Sequence, residues 1–466
     1  MERRNDFTKG SIPGAIMRLA MPMIGAQIVN ALYSMVDKMF IARLPEVGTL
    51  AMSGVGLTLP LILLVSAFAM LAGMGGAPLC SIARGAEKDE EAERIMGTSF
   101  AMLLVLGLGL TCLVLPFRIP LLVWFGATEE VLPFADEYIS TYLLGSVFVM
   151  VTLGMNPFIN SQGFSRTGML TVVIGAALNI ALDPLFMFVL GMGVRGAALA
   201  TIIAQAVSAG WVLAFLTGKR CILRLKRENI RLSLPRVKKI AALGASTCVM
   251  NITDAIVSFA FNRTLAEFGG VTYLGVMTVI GSVRQVLMMP VTGFGQGMQP
   301  VMGYNYGAGR YDRVRECFLF TLKASAAYTL VITLCTQFFP ELFFRLFKAD
   351  ETLLTAGAPA LRLYFSMFYM LTLQIAGQYA FVALGQSRQA IFFSLLRKAF
   401  IVAPVAMLLP RVTNLGVMGV FAAEPISDFV GSSACFITFM LTMWRRLRHP
   451  PEAGEEGGRK AQEGNA

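Results

Sequence analysis

The stretch TVVIGAALNIALDPLFMFVLGMG, residues 171–193, decides how the chain is read. At about 1.5 Å per helical residue it is long enough to cross a hydrocarbon core about 30 Å thick. Its interior is apolar except where LNIALDP, residues 178–184, sets Asn179, Asp183 and Pro184. An aspartate in the middle of such a helix costs about 2.5–3.5 kcal/mol on insertion scales, so it marks a functional position rather than a filler. Asn179 and Asp183 are one turn apart and share a face. Pro184 has no N–H for the carbonyl of Ile180, which leaves an acceptor free and bends the helix.

Working outward, runs of the same kind recur along nearly the whole chain of 466 residues, which is 56% hydrophobic and 14% charged. A soluble chain is about a quarter charged. Twelve spans are expected, near 14–41, 50–74, 96–117, 134–158, 168–190, 196–216, 239–265, 271–293, 317–340, 356–381, 390–410 and 417–443. The short alternating segments of a membrane β-barrel are missing. The fold class is therefore an all-α polytopic membrane protein. MERRNDFTKG runs into the first span without a small-residue cleavage site, so a retained helix is expected there.

The net charge of +11 is unevenly spread. Lys219 to Lys239, between the sixth and seventh spans, holds nine basic residues against Glu228 alone. Further basic clusters (Arg84, Lys88 and Arg94; Arg310, Arg313 and Arg315; Arg445, Arg446 and Arg448) share one side if twelve helices alternate. The positive-inside bias puts that side and both termini in the cytoplasm, with the plasma membrane as the location. This distribution belongs to a membrane surface and excludes a nucleic-acid partner. Seven scattered cysteines without a CxxC pair propose neither a disulfide framework nor a zinc site. The single histidine, His449, lies in the polar tail, which excludes a histidine metal site. No nucleophile or metal constellation of an enzyme is visible, and no cofactor is called for.

The chain partly superimposes on itself when shifted by 222 residues. Pro13 falls on Pro235; Gly73, Gly75 and Pro78 fall on Gly295, Gly297 and Pro300; Gly85 falls on Gly307; Gly163, Ser165 and Arg166 fall on Gly385, Ser387 and Arg388. FGATEEVL, 125–132, falls on FKADETLL, 347–354. GVRG at 193–196 matches GVMG at 416–419 with one more residue of shift. Two parallel six-helix repeats follow, related by an axis along the membrane normal. The expected divisions are 1–216 as the first lobe, 217–239 as a basic cytoplasmic linker, 240–445 as the second lobe and 446–466 as a disordered tail.

Each half carries its own polar set. In the first span Gln27, Asn30, Ser34 and Asp37 make one stripe at helical spacing. Thr201 and Gln205 pair in the sixth span, and Asn156 and Asn160 in the fourth. With Asp183 and Asn179 they form an oxygen-rich set suited to a monovalent cation or a proton, since two carboxylates in a dry site do not both ionise readily. In the second half Asn251, Asp254, Ser258 and Asn262 stripe the seventh span. Gln374 and Gln378 stripe the tenth, and Glu424 and Asp428 lie one turn apart in the twelfth. Nothing acidic stands at the repeat position of Asp183. Arg284 and Lys398 fall within or near spans, as counter-ions or as snorkelling side chains. Methionines number 28 and phenylalanines 34, which suits a cavity accepting varied apolar ligands as well as ordinary packing.

MMPVTGFGQGMQPVMGYNYGAGRYDRV (288–314), YSMVDKMFIARL (33–44), NSQGFSR (160–166), LNIALDP, GVRGAALAT (193–201) and ALGQSRQA (383–390) closely resemble the multidrug and toxic compound extrusion family, MATE. The resemblance runs over about residues 8–445 and implies two lobes of six helices, alternating access, and export of drugs coupled to Na⁺ or H⁺. It implies a cation site at Asp37, Asn179, Asp183 and Thr201 and a further acid at Asp254; the oxygen-rich set, with its threonine and asparagine, favours Na⁺ there, though a proton can use the same carboxylates. The expected substrate cavity takes in Gln27, Asn30, Ser34, Asn156, Gln205, Asp254, Ser258, Gln378, Glu424 and Asp428. The expected cargo is a cationic amphipathic drug or metabolite, the expected surroundings are membrane lipid, and the expected state is a monomer. Two alternatives remain: a flippase of lipid-linked saccharides sharing the fold, and a channel or sensor. A flippase should show a strongly cationic cavity, whereas the intramembrane charge reads as mostly acidic.

Overall fold

The computed structural model describes residues 6–347 and 350–448, without the side chains of Asn251, Ile252 and Ala255. The described residues contain helices and no strand. The helices are named here by membrane pass. They are α1 (Ile12–Ala42), α2 (Gly48–Gly85), α3 (Asp89–Trp124), α4 (Leu132–Leu144 and Ser146–Ser161), α5 (Ser165–Pro184 continued by Leu185–Val189) and α6 (Gly193–Thr217). After the linker, one helical stretch Leu234–Gly307 takes a left-handed, non-helical conformation at Gly270, with φ 62° and ψ −161°. A straight helix of that length would far exceed a bilayer. Gly270 turns it back on itself, because only glycine adopts that backbone without penalty, and α7 (234–269) and α8 (271–307) result. They are followed by α9 (Tyr311–Phe338), α10 (Glu351–Phe365 and Leu371–Ala383, joined by the 3₁₀ turn Phe368–Met370), α11 (Ser387–Val412) and α12 (Met418–Arg448).

Among the described residues nine helices are long and apolar enough to cross a membrane, ten when the bent pair of α4 counts as one. The number rises to the expected twelve because α7 and α8 share one stretch and α10 is split into halves too short to qualify alone. Two spans read as continuous are thus broken. The segments of α4 meet at 58°. A Cβ at Gly145, the residue between them, would lie 2.3 Å from the Ile202 side chain of α6, which packs against that corner. The linker is shorter than expected, since α7 begins at Leu234. It is also docked on the first half: Ile222 and Leu223 donate their N–H groups to Gln162 Oε1 at 2.9 and 2.8 Å. Lys226 pairs with Glu93 at 2.6 Å and Arg236 with Glu91 at 2.7 Å. Helix α12 runs on to Arg448, so the expected tail starts inside it; residues 449–466, His449 included, lie outside the described residues.

The halves meet through glycines. In lipid there is no hydrophobic drive between helices, so close approach of small residues carries much of the packing. A Cβ on Gly85 of α2 would lie 1.9 Å from the Tyr304 carbonyl oxygen of α8, and one on Gly307 of α8 would lie 2.0 Å from that of Ile82 in α2. These two contacts exchange under the 222-residue shift, which carries Ile82 onto Tyr304 and Gly85 onto Gly307. The same reciprocity brings Gly75 of α2 against Ile240 of α7, and Gly297 of α8 against Ala20 of α1. Each repeat therefore starts by leaning on the other. Phe7, Ile12, Ile16 and Leu19 share a core with Phe318, Phe381 and Phe439 of the second half.

Candidate functional site

Two polar sites sit inside the bundle, one per half. In the first half Asp183 of α5 is fully buried and Asn179, one turn earlier, is 2% exposed. Pro184 ends the regular helix there, and the chain continues as a wider π turn over Leu185–Val189; such turns recur at functional sites. Asn179 Nδ2 donates to Asp183 Oδ1 at 3.1 Å and to Thr201 Oγ1 of α6 at 3.3 Å. Asp37 of α1, packed against α5, brings its carboxyl within hydrogen-bonding range of that of Asp183. Both groups are acceptors, however, and Asp37 Oδ1, Asp183 Oδ2 and Asn179 Oδ1 are all buried without a donor. Three orphaned oxygens in one pocket call for a positive charge, whether a proton shared by the carboxyls or a small cation among them all. The four residues expected to form a cation site thus converge.

Tyr138 of α4 belongs to the same pocket and escaped the sequence reading. It is buried, and its hydroxyl makes a side-chain hydrogen bond with Thr201. A tyrosine near a span end reads as an interface anchor, whereas here it lies buried on the first segment of the bent α4.

The second half holds a cavity of about 800 Å³ between α2, α7, α8, α10, α11 and α12. Of the expected cavity residues Asp254, Ser258, Gln378 and Glu424 line it. Asn156 lines a smaller adjoining cavity of about 170 Å³ that shares Met70, Met74, Gln296 and Gln299 with the larger one. Gln27, Asn30, Ser34, Gln205 and Asp428 line neither. Gln27 instead accepts a hydrogen bond from Thr292 of α8 at 3.0 Å, tying the halves together. The side chain of Asn251 lies outside the described residues.

The expectation of a mostly acidic interior is corrected here. Glu424, 2% exposed, faces Arg284 at 2.6 Å, Arg397 at 3.1 Å and Lys398 at 3.2 Å. Arg397 also meets Asp428 at 3.4 Å, and Lys398 meets Asp254 at 3.0 Å. Arg284 further donates to the Tyr364 hydroxyl. Three basic side chains therefore balance three acidic ones, and Arg284 is a counter-ion rather than a snorkelling residue. Arg397 was missed because its long side chain can snorkel, so a basic residue in a span does not announce which way it faces. It lies on a π turn, Leu396–Val402, with Lys398 beside it. The wider turn narrows the angle between neighbours, so adjacent residues both reach the cavity.

A model of the MatE family matches this chain twice, over residues 22–185 and 246–408, one match in each half. A protein named FAD transporter from Shewanella oneidensis is 24% identical, over 94% of this chain and 96% of its own length. One named multidrug export protein MepA from Staphylococcus haemolyticus is 23% identical, over 93% and 95%. Among solved structures, a MATE protein in complex with MaL6 superimposes with a TM-score of 0.89 at 24% identity, covering 96% of this chain and all of that one.

Proposed function

The chain belongs to the MatE family, and on that premise we propose that it is a secondary active exporter expelling small amphipathic molecules in exchange for Na⁺ or H⁺. Relatives of similar length are named as a multidrug export protein, a probable multidrug resistance protein and a FAD transporter. The observation that carries the coupling is the first-half pocket, where Asp37, Asp183 and Asn179 present three buried oxygens without donors. Asp37 lies on α1, whose amino-terminal part leans on the other half. Charge at Asp37 is thereby linked to how the halves sit.

Exchange requires that ion and cargo prefer different states. The reciprocal glycine contacts at Gly85 and Gly307 close the bundle at the end bearing Arg84 and Arg310. If the basic loops are cytoplasmic, as the positive-inside bias indicates, this is the outward-facing state. A cation or proton taken up at the Asp37–Asp183 pair would neutralise it, let α1 and α5 close together, and favour release of cargo. Loss of that charge to the inside would restore repulsion between the carboxylates and favour reloading. The flippase reading asks for an excess of cations in the cavity, and Glu424, Asp428 and Asp254 remove that excess.

The test is dye efflux from proteoliposomes under an imposed Na⁺ gradient or pH gradient, each alone. One gradient should drive efflux and the other should not. Efflux indifferent to both gradients, with no counterflow of labelled dye, would leave a channel instead of a carrier.

A further inference from the structure

The second-half cluster has more positive charge facing the cavity than its buried acids neutralise. Glu424 and Asp428 are 2% and 3% exposed; Glu424 sits in the cavity wall and Asp428 behind it, both held as fixed partners of the basic side chains. The third acid, Asp254, comes from α7 on another face of the cavity, and its side chain is 48% exposed. Without it, three basic side chains (Arg284, Arg397 and Lys398) share two carboxylates, and all three line the cavity. Arg397 is 4% exposed, and its Nε is buried without a partner. Around this polar end the wall is soft and aromatic, with Met250, Met277, Met288, Phe261, Tyr364 and Tyr379.

Resting on the export reading, we infer that the second-half cavity receives the anionic group, a carboxylate or phosphate, of an amphipathic cargo at Lys398 and Arg284, in exchange for Asp254. The fixed acids hold the basic side chains in place while Asp254 acts as the exchangeable counter-ion. An incoming anion takes over its bond to Lys398, and the ring system of the cargo lies on the methionine and aromatic wall. This reverses the charge expected of the cargo from the first-half acids alone. The same chemistry is offered by an anionic lipid headgroup.

The probes are FMN and riboflavin, one fluorescent ring system with and without a phosphate. Binding is read by fluorescence anisotropy, with the full chain in phosphatidylcholine nanodiscs. Charge-assisted hydrogen bonds to the phosphate should make FMN bind about tenfold tighter than riboflavin. Lys398→Gln should bring the ratio close to one. Asp254→Asn, which keeps every basic residue, should tighten FMN and leave riboflavin unchanged. FMN binding that is absent or no tighter than riboflavin overturns the inference. So does a ratio that Lys398→Gln leaves intact, or FMN affinity that Asp254→Asn leaves unchanged. In phosphatidylglycerol discs, a ratio that persists assigns the site to a soluble cargo, and one that collapses assigns it to lipid headgroups. No ion gradient is applied, so the outcome is independent of whether export is ion-coupled.

Discussion

Thr201 and Glu424 stand at matching positions of the two repeats and have opposite surroundings. Thr201 accepts from Asn179 beside two carboxyls that form no ion pair among the described residues and each keep a buried oxygen without a donor. Glu424 is enclosed by three basic side chains. Duplication gave both halves the same helices and the same place for a polar pocket. One pocket then kept an unmet demand for positive charge, and the other met its demand internally. A site with unmet demand can take up and release an ion, whereas a neutralised one is a fixed scaffold apart from its one exposed member.

This difference predicts opposite responses to removing a single charge. Glu424→Gln leaves three buried cations with one fewer acid and should cost about 3–5 kcal/mol of stability, read as a large drop in melting temperature in detergent. Asp183→Asn, by contrast, gives Asp37 an N–H donor where it now faces only acceptors, and should leave the melting temperature unchanged or raised. Equal losses in the two variants would break the comparison.

Smaller effects sharpen it. Gly307→Ala puts a methyl about where the Ile82 carbonyl oxygen already lies, at a cost of about 1–3 kcal/mol for overpacking. It should lower the closed-to-open ratio at that end by about 5- to 150-fold, measured by spin-label distances between α2 and α8. Asp254→Asn removes a half-exposed pair and should change stability by no more than about 1 kcal/mol; a larger loss would make Asp254 a structural acid rather than an exchangeable one.

Much of this was legible in the sequence, for a physical reason. An acid or amide in an apolar span is costly enough to stand out, and helical spacing says which ones share a face; Asn179, Asp183, Asp37 and Thr201 were found that way. The repeat offset paired Gly85 with Gly307 by position, and the structure adds that the two make reciprocal contacts. Basic residues are harder to read, because long side chains near a span end can reach water from either face. Whether Arg397 and Lys398 turn inward depends on a π turn and on α8 and α12 arriving opposite them. Tyr138 lies on the first segment of the bent α4, and Ile202, from a helix remote in sequence, packs against the corner at Gly145. Local pattern cannot report such arrivals.

The central claim is that the Asp37–Asp183 pair, and not the second-half cluster, carries the coupling ion. It is tested most directly by gradient-driven dye efflux from proteoliposomes of Asp183→Asn and Asp428→Asn, each confirmed as folded by its melting temperature. The account predicts that Asp183→Asn loses the dependence on the ion gradient while Asp428→Asn retains it. Efflux that still follows the gradient in Asp183→Asn, or loses it in Asp428→Asn, would contradict the account.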